Sequence, residues 1–134
     1  MADEHAGFIE RYHQVVDQLD RTVRSDPETM WLLGSLVARL VTKTDASNWM
    51  QLKQMIDDQS LRELVETLDG NAATYEAEGK TKAAYVARLL GISLVAGRID
   101  DAKLRQRDQL LSHFIDTAAY VYITQHNARA AEKG

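Results

Sequence analysis

Pro27-Glu-Thr-Met-Trp-Leu-Leu-Gly-Ser-Leu-Val-Ala-Arg-Leu-Val-Thr-Lys43 repeats apolar side chains at helical spacing in almost every direction. Wound at 100° per residue, it gathers Glu28, Ser35, Arg39 and Thr42 on one narrow polar stripe. Met30, Leu32, Leu33, Leu36, Val37, Leu40 and Val41 cover the remaining directions. A helix with so little polar surface must be packed from several sides, which predicts the central apolar helix of a bundle at about residues 27–43. Gly34 and Ala38, four residues apart, form a small-residue notch that a neighbouring backbone can approach. Asp26 followed by Pro27 reads as an N-cap and first helical position, because a proline there gives up an N–H that has no helical partner anyway.

Outward from this helix the same spacing recurs. Residues 3–24 predict a first helix with Phe8, Ile9, Tyr12, Val15, Val16, Leu19 and Val23 on one side. Beyond residue 43, Asp45 or Ser47 is the expected cap of a third helix carrying Trp49, Leu52, Met55 and Ile56. Ser60-Leu-Arg-Glu63 then matches a capping box ahead of Leu61, Leu64, Val65 and Leu68. Gly70 is the expected stop, with Asn71 as a new cap. The apolar phase from Ala72 to Gly97 continues through Gly79 and favours one long helix, although glycine costs about 1 kcal/mol there relative to alanine. From Tyr85 onward Leu89 and Ile92 add a second apolar face. Asp100 and Asp101 start the last helix, with Leu104, Leu110, Leu111, Phe114, Ile115, Ala118, Val121 and Tyr122 toward the core. Fraying is expected beyond His126, with a tail from about residue 127. The prediction is therefore an all-α fold, a single-domain irregular helical bundle of five or six helices spanning residues 1–134.

Composition bounds the function. The chain has 134 residues, 45% of them hydrophobic and 27% charged, enough to bury a core without staples. It has no cysteine, which rules out disulfides, thiol nucleophiles and thiolate metal sites and fits the cytoplasm. The start Met-Ala-Asp-Glu-His lacks the pattern of a signal peptide, and no apolar run reaches the length of a membrane span. The net charge of -4, with both signs interspersed, argues against nucleic acid or an anionic membrane as partner. The basic clusters, Lys80 with Lys82 and Arg98 through Arg107, read as solvated helix ends.

No motif completes a catalytic constellation. Glu10 and His13 have the Glu-x-x-His spacing of carboxylate-bridged dimetal bundles, but both point away from the apolar side and no second copy exists, so no metal is expected. His113 and Asp116 lie one turn apart with Tyr120 on the same face, a geometry suited to proton sharing or metal binding, and an exposed histidine is also what a phosphorelay module requires. The polar neighbours Gln106, Gln109 and Thr124 favour a wet or interfacial face instead. Gly91-Ile-Ser93-Leu-Val95 begins like a nucleophile elbow, yet it lies inside a helix and reads as core packing. Residues 61–82 can be drawn as a helix-turn-helix, but Glu76 and Glu78 would face the phosphates.

Two functional classes follow. The leading one is a non-enzymatic interaction or regulatory protein that binds itself or another protein and needs no cofactor. Its expected interface is the outer face of the last helix, with His113, Asp116, Tyr120 and Ile123. The alternative is a helical bundle that binds a small ligand in a pocket lined by Trp31, Trp49, Tyr75 or Tyr85.

Overall fold

A computed structural model describes the backbone of residues 6–133 and the side chains of residues 6–127. Among these the chain is all-α, with no strand. Six α-helices follow in the order α1 (Ala6–Arg21), α2 (Pro27–Lys43), α3 (Trp49–Met55), α4 (Asp58–Ala77), α5 (Thr81–Ala96) and α6 (Ala102–Lys133), and a short 3-10 turn (Val23–Ser25) joins α1 to α2. The first helix thus ends earlier than the apolar spacing implies, and its last expected residues form the turn. None of the helices is long and apolar enough to cross a membrane.

Helix α2 has the expected bounds, and Asp26 caps it by accepting the Thr29 N–H at 3.3 Å. It packs chiefly on α6 and also touches α5, α3 and the 3-10 turn, as its nearly all-round apolar surface requires. The predicted notch is used at Gly34. A Cβ there would sit 2.5 Å from the Ala118 carbonyl oxygen and 2.8 Å from the Tyr122 Cβ, so α6 crosses α2 in direct backbone contact. Helix α5 holds the longest buried run, Leu89 to Leu94, because its sequence Tyr85 to Ala96 is apolar on two faces.

The helix boundaries correct several expectations. Neither Asp45 nor Ser47 caps α3; Asn48 does, accepting the Gln51 N–H at 2.8 Å. Asp45 instead ends α2 in the left-handed region at φ 59°. The Ala46 N–H reaches back to Val41 and the Asp45 N–H to Thr42, a Schellman closure. Asp57, not Ser60, caps α4 and accepts the Ser60 N–H at 2.7 Å. Gly70 does not stop α4, since Leu68 and Ala72, buried on either side of it, hold the helix together. The break comes at Gly79, at φ 78°, where the Lys80 N–H bonds the Tyr75 carbonyl and the Gly79 N–H bonds that of Glu76. The single helix expected over residues 72–97 is therefore two, because the apolar phase is nearly preserved across a tight turn that only glycine adopts without strain. This turn folds α4 back on α5.

Asp101 begins α6 as expected, accepting the Leu104 N–H at 2.9 Å. The helix runs to Lys133; side chains beyond residue 127, where the frayed tail is expected, lie outside the described residues.

Candidate functional site

Helix α6 is anchored by Leu104, Leu111, Ile115 and Ala119, all buried. Its opposite side is left bare by the bundle. Leu110 and Val121, expected in the core, are 69% and 44% exposed, because they sit at the edge of the apolar arc where α2 and the 3-10 turn no longer cover α6. Phe114, between them, is half-buried under the Arg24 guanidinium, 4.8 Å above its ring. A 330 Å³ groove follows this edge between α2 and α6, floored by Met30, Trp31, Phe114 and Tyr122. The Trp31 and Tyr122 rings meet edge on at 4.5 Å.

The four residues expected at an interface have three different roles. His113 is exposed on the outer side of α6. Asp116 is committed to structure: its carboxylate accepts the backbone N–H groups of Trp49 at 2.7 Å and Met50 at 3.4 Å, satisfying donors at the start of α3 that have no helical partner. Tyr120 and Ile123 are exposed, 71% and 44%. Asp116, Tyr120 and Ile123 border a second groove of 310 Å³ shared with Ala38 and Val41, which His113 does not reach.

A buried polar cluster lies on the inner side of α6, and sequence reasoning did not find it. Asp108, 2% exposed, accepts the Tyr12 hydroxyl at 2.9 Å and pairs with the Lys53 ammonium, which also donates to Ser112 at 3.2 Å. Burial, reinforced by the Asp108 charge, pushes the Tyr12 hydroxyl far above the ordinary tyrosine range and keeps it a donor. Tyr12, Lys53 and Asp108 come from three helices far apart in the chain, so no local motif announces them. One signal was available: Asp108 and Ser112 fall on the same arc as Leu104, Leu111 and Ile115, and a carboxylate on a core face must find a partner.

The cluster borders a hollow of 710 Å³ between α3, the α5–α6 turn and the start of α6. Lys53, Arg98, Arg105 and Asp108 supply its charges, and Gln54, Gln106 and Gln109 its amides. Arg98 and Arg105 are therefore not free helix ends. Arg98 pairs with Asp58 at 2.9 Å and donates to the Ile56 carbonyl; Arg105 pairs with Asp100 at 2.7 Å and donates to the Ile99 carbonyl at 3.1 Å. Lys82, expected as a solvated helix end, lies in the first turn of α5, where it bridges Asp26 at 3.1 Å and Glu28 at 2.8 Å of α2.

Glu10 is exposed, as expected. His13 does not face outward freely, because its Nδ1 meets the Arg107 guanidinium, which also holds Asp17 at 2.6 Å and so ties α1 to α6. Among the described residues no group of three or more His, Asp or Glu side chains could hold a metal. The four aromatics considered for a ligand pocket are not brought together. Trp49 is fully buried and donates its indole N–H to Ser93 at 3.3 Å, Trp31 lies in the α2–α6 groove, Tyr85 donates to the Val15 carbonyl at 2.5 Å, and Tyr75 packs half-buried against the core. Ser93 is thereby a core residue, as its place inside a helix implied. No family model, no curated protein and no solved structure matches this chain.

Proposed function

We propose that this chain is a non-enzymatic interaction and regulatory module that associates with a second copy of itself through the outward side of α6. The observation that carries this reading is the concentration of exposed apolar side chains. Of the five large ones among the described residues, Met55, Leu110, Tyr120, Val121 and Ile123, four lie on α6 within four turns. The same stretch, residues 109–124, contains a single charged residue, Asp116, and that carboxylate is occupied by α3. Depletion of charge around aromatic and aliphatic anchors is the composition of an interface centre.

The spacing supports a second copy as the occupant. Leu110, Phe114, Thr117 and Val121 follow each other at intervals of four, three and four, the seam of paired helices. The seam reads the same in both directions. Laid antiparallel across a two-fold axis, Leu110 of each copy meets Val121 of the other, and Phe114 meets Thr117, as an isologous interface requires. Tyr120 and Ile123 lie further round α6, beside the second groove with Asp116, and His113 stands between that groove and the seam. The lack of cysteine supports a reducing compartment, the cytoplasm.

Sedimentation velocity over a concentration series tests the reading. Wild type should show a concentration-dependent dimer, and Leu110→Ser with Val121→Ser, both exposed on the seam, should weaken it at least about tenfold, roughly 1.4 kcal/mol, with helicity unchanged. A wild type that stays monomeric at every concentration, or a double variant that dimerises equally well, overturns it.

A further inference from the structure

The hollow between α3 and the start of α6 has a charge opposite to that of the chain. The chain as a whole carries -4, whereas the hollow is lined by Lys53, Arg98 and Arg105 against one carboxylate, Asp108. That carboxylate is spent internally, because Tyr12 and Lys53 take its two oxygens and burial removes it from solvent. The guanidiniums of Arg98 and Arg105 therefore set the sign of the field inside the hollow. Their partners, Asp58 and Asp100, do not line it and are 79% and 100% exposed at the side chain. Such exposed pairs hold weakly and yield to a competing anion.

The surroundings give this charge a fixed place. Arg98 is braced by the Ile56 carbonyl at the end of α3 and Arg105 by the Ile99 carbonyl, so both cations are positioned by backbone acceptors and not only by exposed carboxylates. Gly97 keeps the wall beside Lys53 open: a Cβ there would stand 3.2 Å from the Lys53 Cε. Gln54, Gln106 and Gln109 add neutral donors and acceptors around the rim.

We infer that this hollow is a binding site for a small molecule carrying a phosphate or carboxylate group, held between Arg98 and Arg105 with its remaining polar atoms on the glutamines. The planar fork of arginine is suited to two oxygens of such a group. A polymeric anion is disfavoured, since the chain as a whole carries -4 and repels it. The site is separate from the outward seam of α6 and does not depend on self-association.

Titration calorimetry of the full chain with inorganic phosphate and with succinate, against sodium chloride at matched ionic strength, tests the inference. One or both probes should bind saturably at one site per chain, and the tighter one names the anionic group of the natural ligand. Arg105→Gln should weaken binding at least about tenfold, as loss of a charge-assisted pair does, whereas Asp100→Asn, which removes the competing carboxylate, should tighten it. Arg62→Gln, outside the hollow, should leave it unchanged. Thermal unfolding of each variant confirms that it is folded. No saturable binding of either probe by wild type, or equal affinities for wild type and Arg105→Gln, overturns the site.

Discussion

Asp116 on α6 accepts the backbone N–H of Trp49 at 2.7 Å, so the start of α3 is capped by a side chain 67 positions away in sequence. Asn48 caps the same helix locally through Gln51. Helix α3 has only seven residues, too few to persist alone. These two carboxyl and amide groups, with the burial of Trp49 and Leu52, are what hold it. Asp116→Ala should therefore lower stability by about 1 to 2 kcal/mol in urea denaturation and increase hydrogen exchange at Trp49 and Met50. Exchange unchanged at those two amides would contradict this.

The Tyr12–Asp108–Lys53 cluster predicts a non-additive series. Asp108→Ala leaves the Lys53 ammonium without its carboxylate and should cost about 3 to 5 kcal/mol. Tyr12→Phe, which removes one hydrogen bond to a charged acceptor, should cost about 1.5 to 3 kcal/mol. The triple change Tyr12→Phe, Lys53→Met and Asp108→Leu should recover most of the Asp108→Ala loss, because an apolar cluster of similar size has no unpaired group. A triple variant less stable than Asp108→Ala alone would show that the cluster contributes a geometry that apolar packing cannot replace.

Two glycine substitutions should have opposite signs. Gly34→Ala drives a methyl into the Ala118 carbonyl and should cost about 2 kcal/mol or more, since both helices must separate. Gly70→Ala, inside α4 with nothing within 4 Å of the new methyl, should gain about 0.5 to 1 kcal/mol. Thermal unfolding of the two variants side by side checks both.

Stability should fall at both ends of the pH scale for identifiable reasons. The Tyr12 and Tyr85 hydroxyls are raised above 10.0, chiefly by burial, so the folded chain keeps protons that the unfolded chain releases. Their contribution is complete below pH 10.0 and is lost as pH rises beyond it. Tyr12→Phe with Tyr85→Phe should flatten this alkaline loss. On the acid side, Asp26 lies below its ordinary 3.8, chiefly through the Thr29 hydroxyl and then Lys82, and Asp57 through the Ser60 N–H. A lowered carboxylate stabilises the fold above its unfolded value, and that stabilisation is lost as pH falls below 3.8. Asp57→Asn should reduce the acid slope; an unchanged slope would remove Asp57 from this account.

Local chemistry made part of this protein legible from its residues alone. Apolar spacing announced the helical class, and Asp26-Pro27 announced the start of α2, because a cap and a proline act within one turn. The need of α2 for neighbours on several sides also followed from its composition, as did the use of Gly34 for close approach. What sequence left open depended on contacts between distant segments. The choice between Gly70 and Gly79 as the helix stop is made by the pairing of α4 with α5, since either glycine tolerates the turn and only one position lets Leu68 and Ala72 stay buried in a continuous helix. Asp116 looks like a surface carboxylate until α3 is brought beneath it, and His13 looks unpartnered until Arg107 arrives from α6. The Tyr12–Asp108–Lys53 cluster exists only once α1, α3 and α6 meet. A periodic pattern reports which side of a helix is buried, whereas the partner of a buried charge is chosen by packing, and packing is a property of the whole chain.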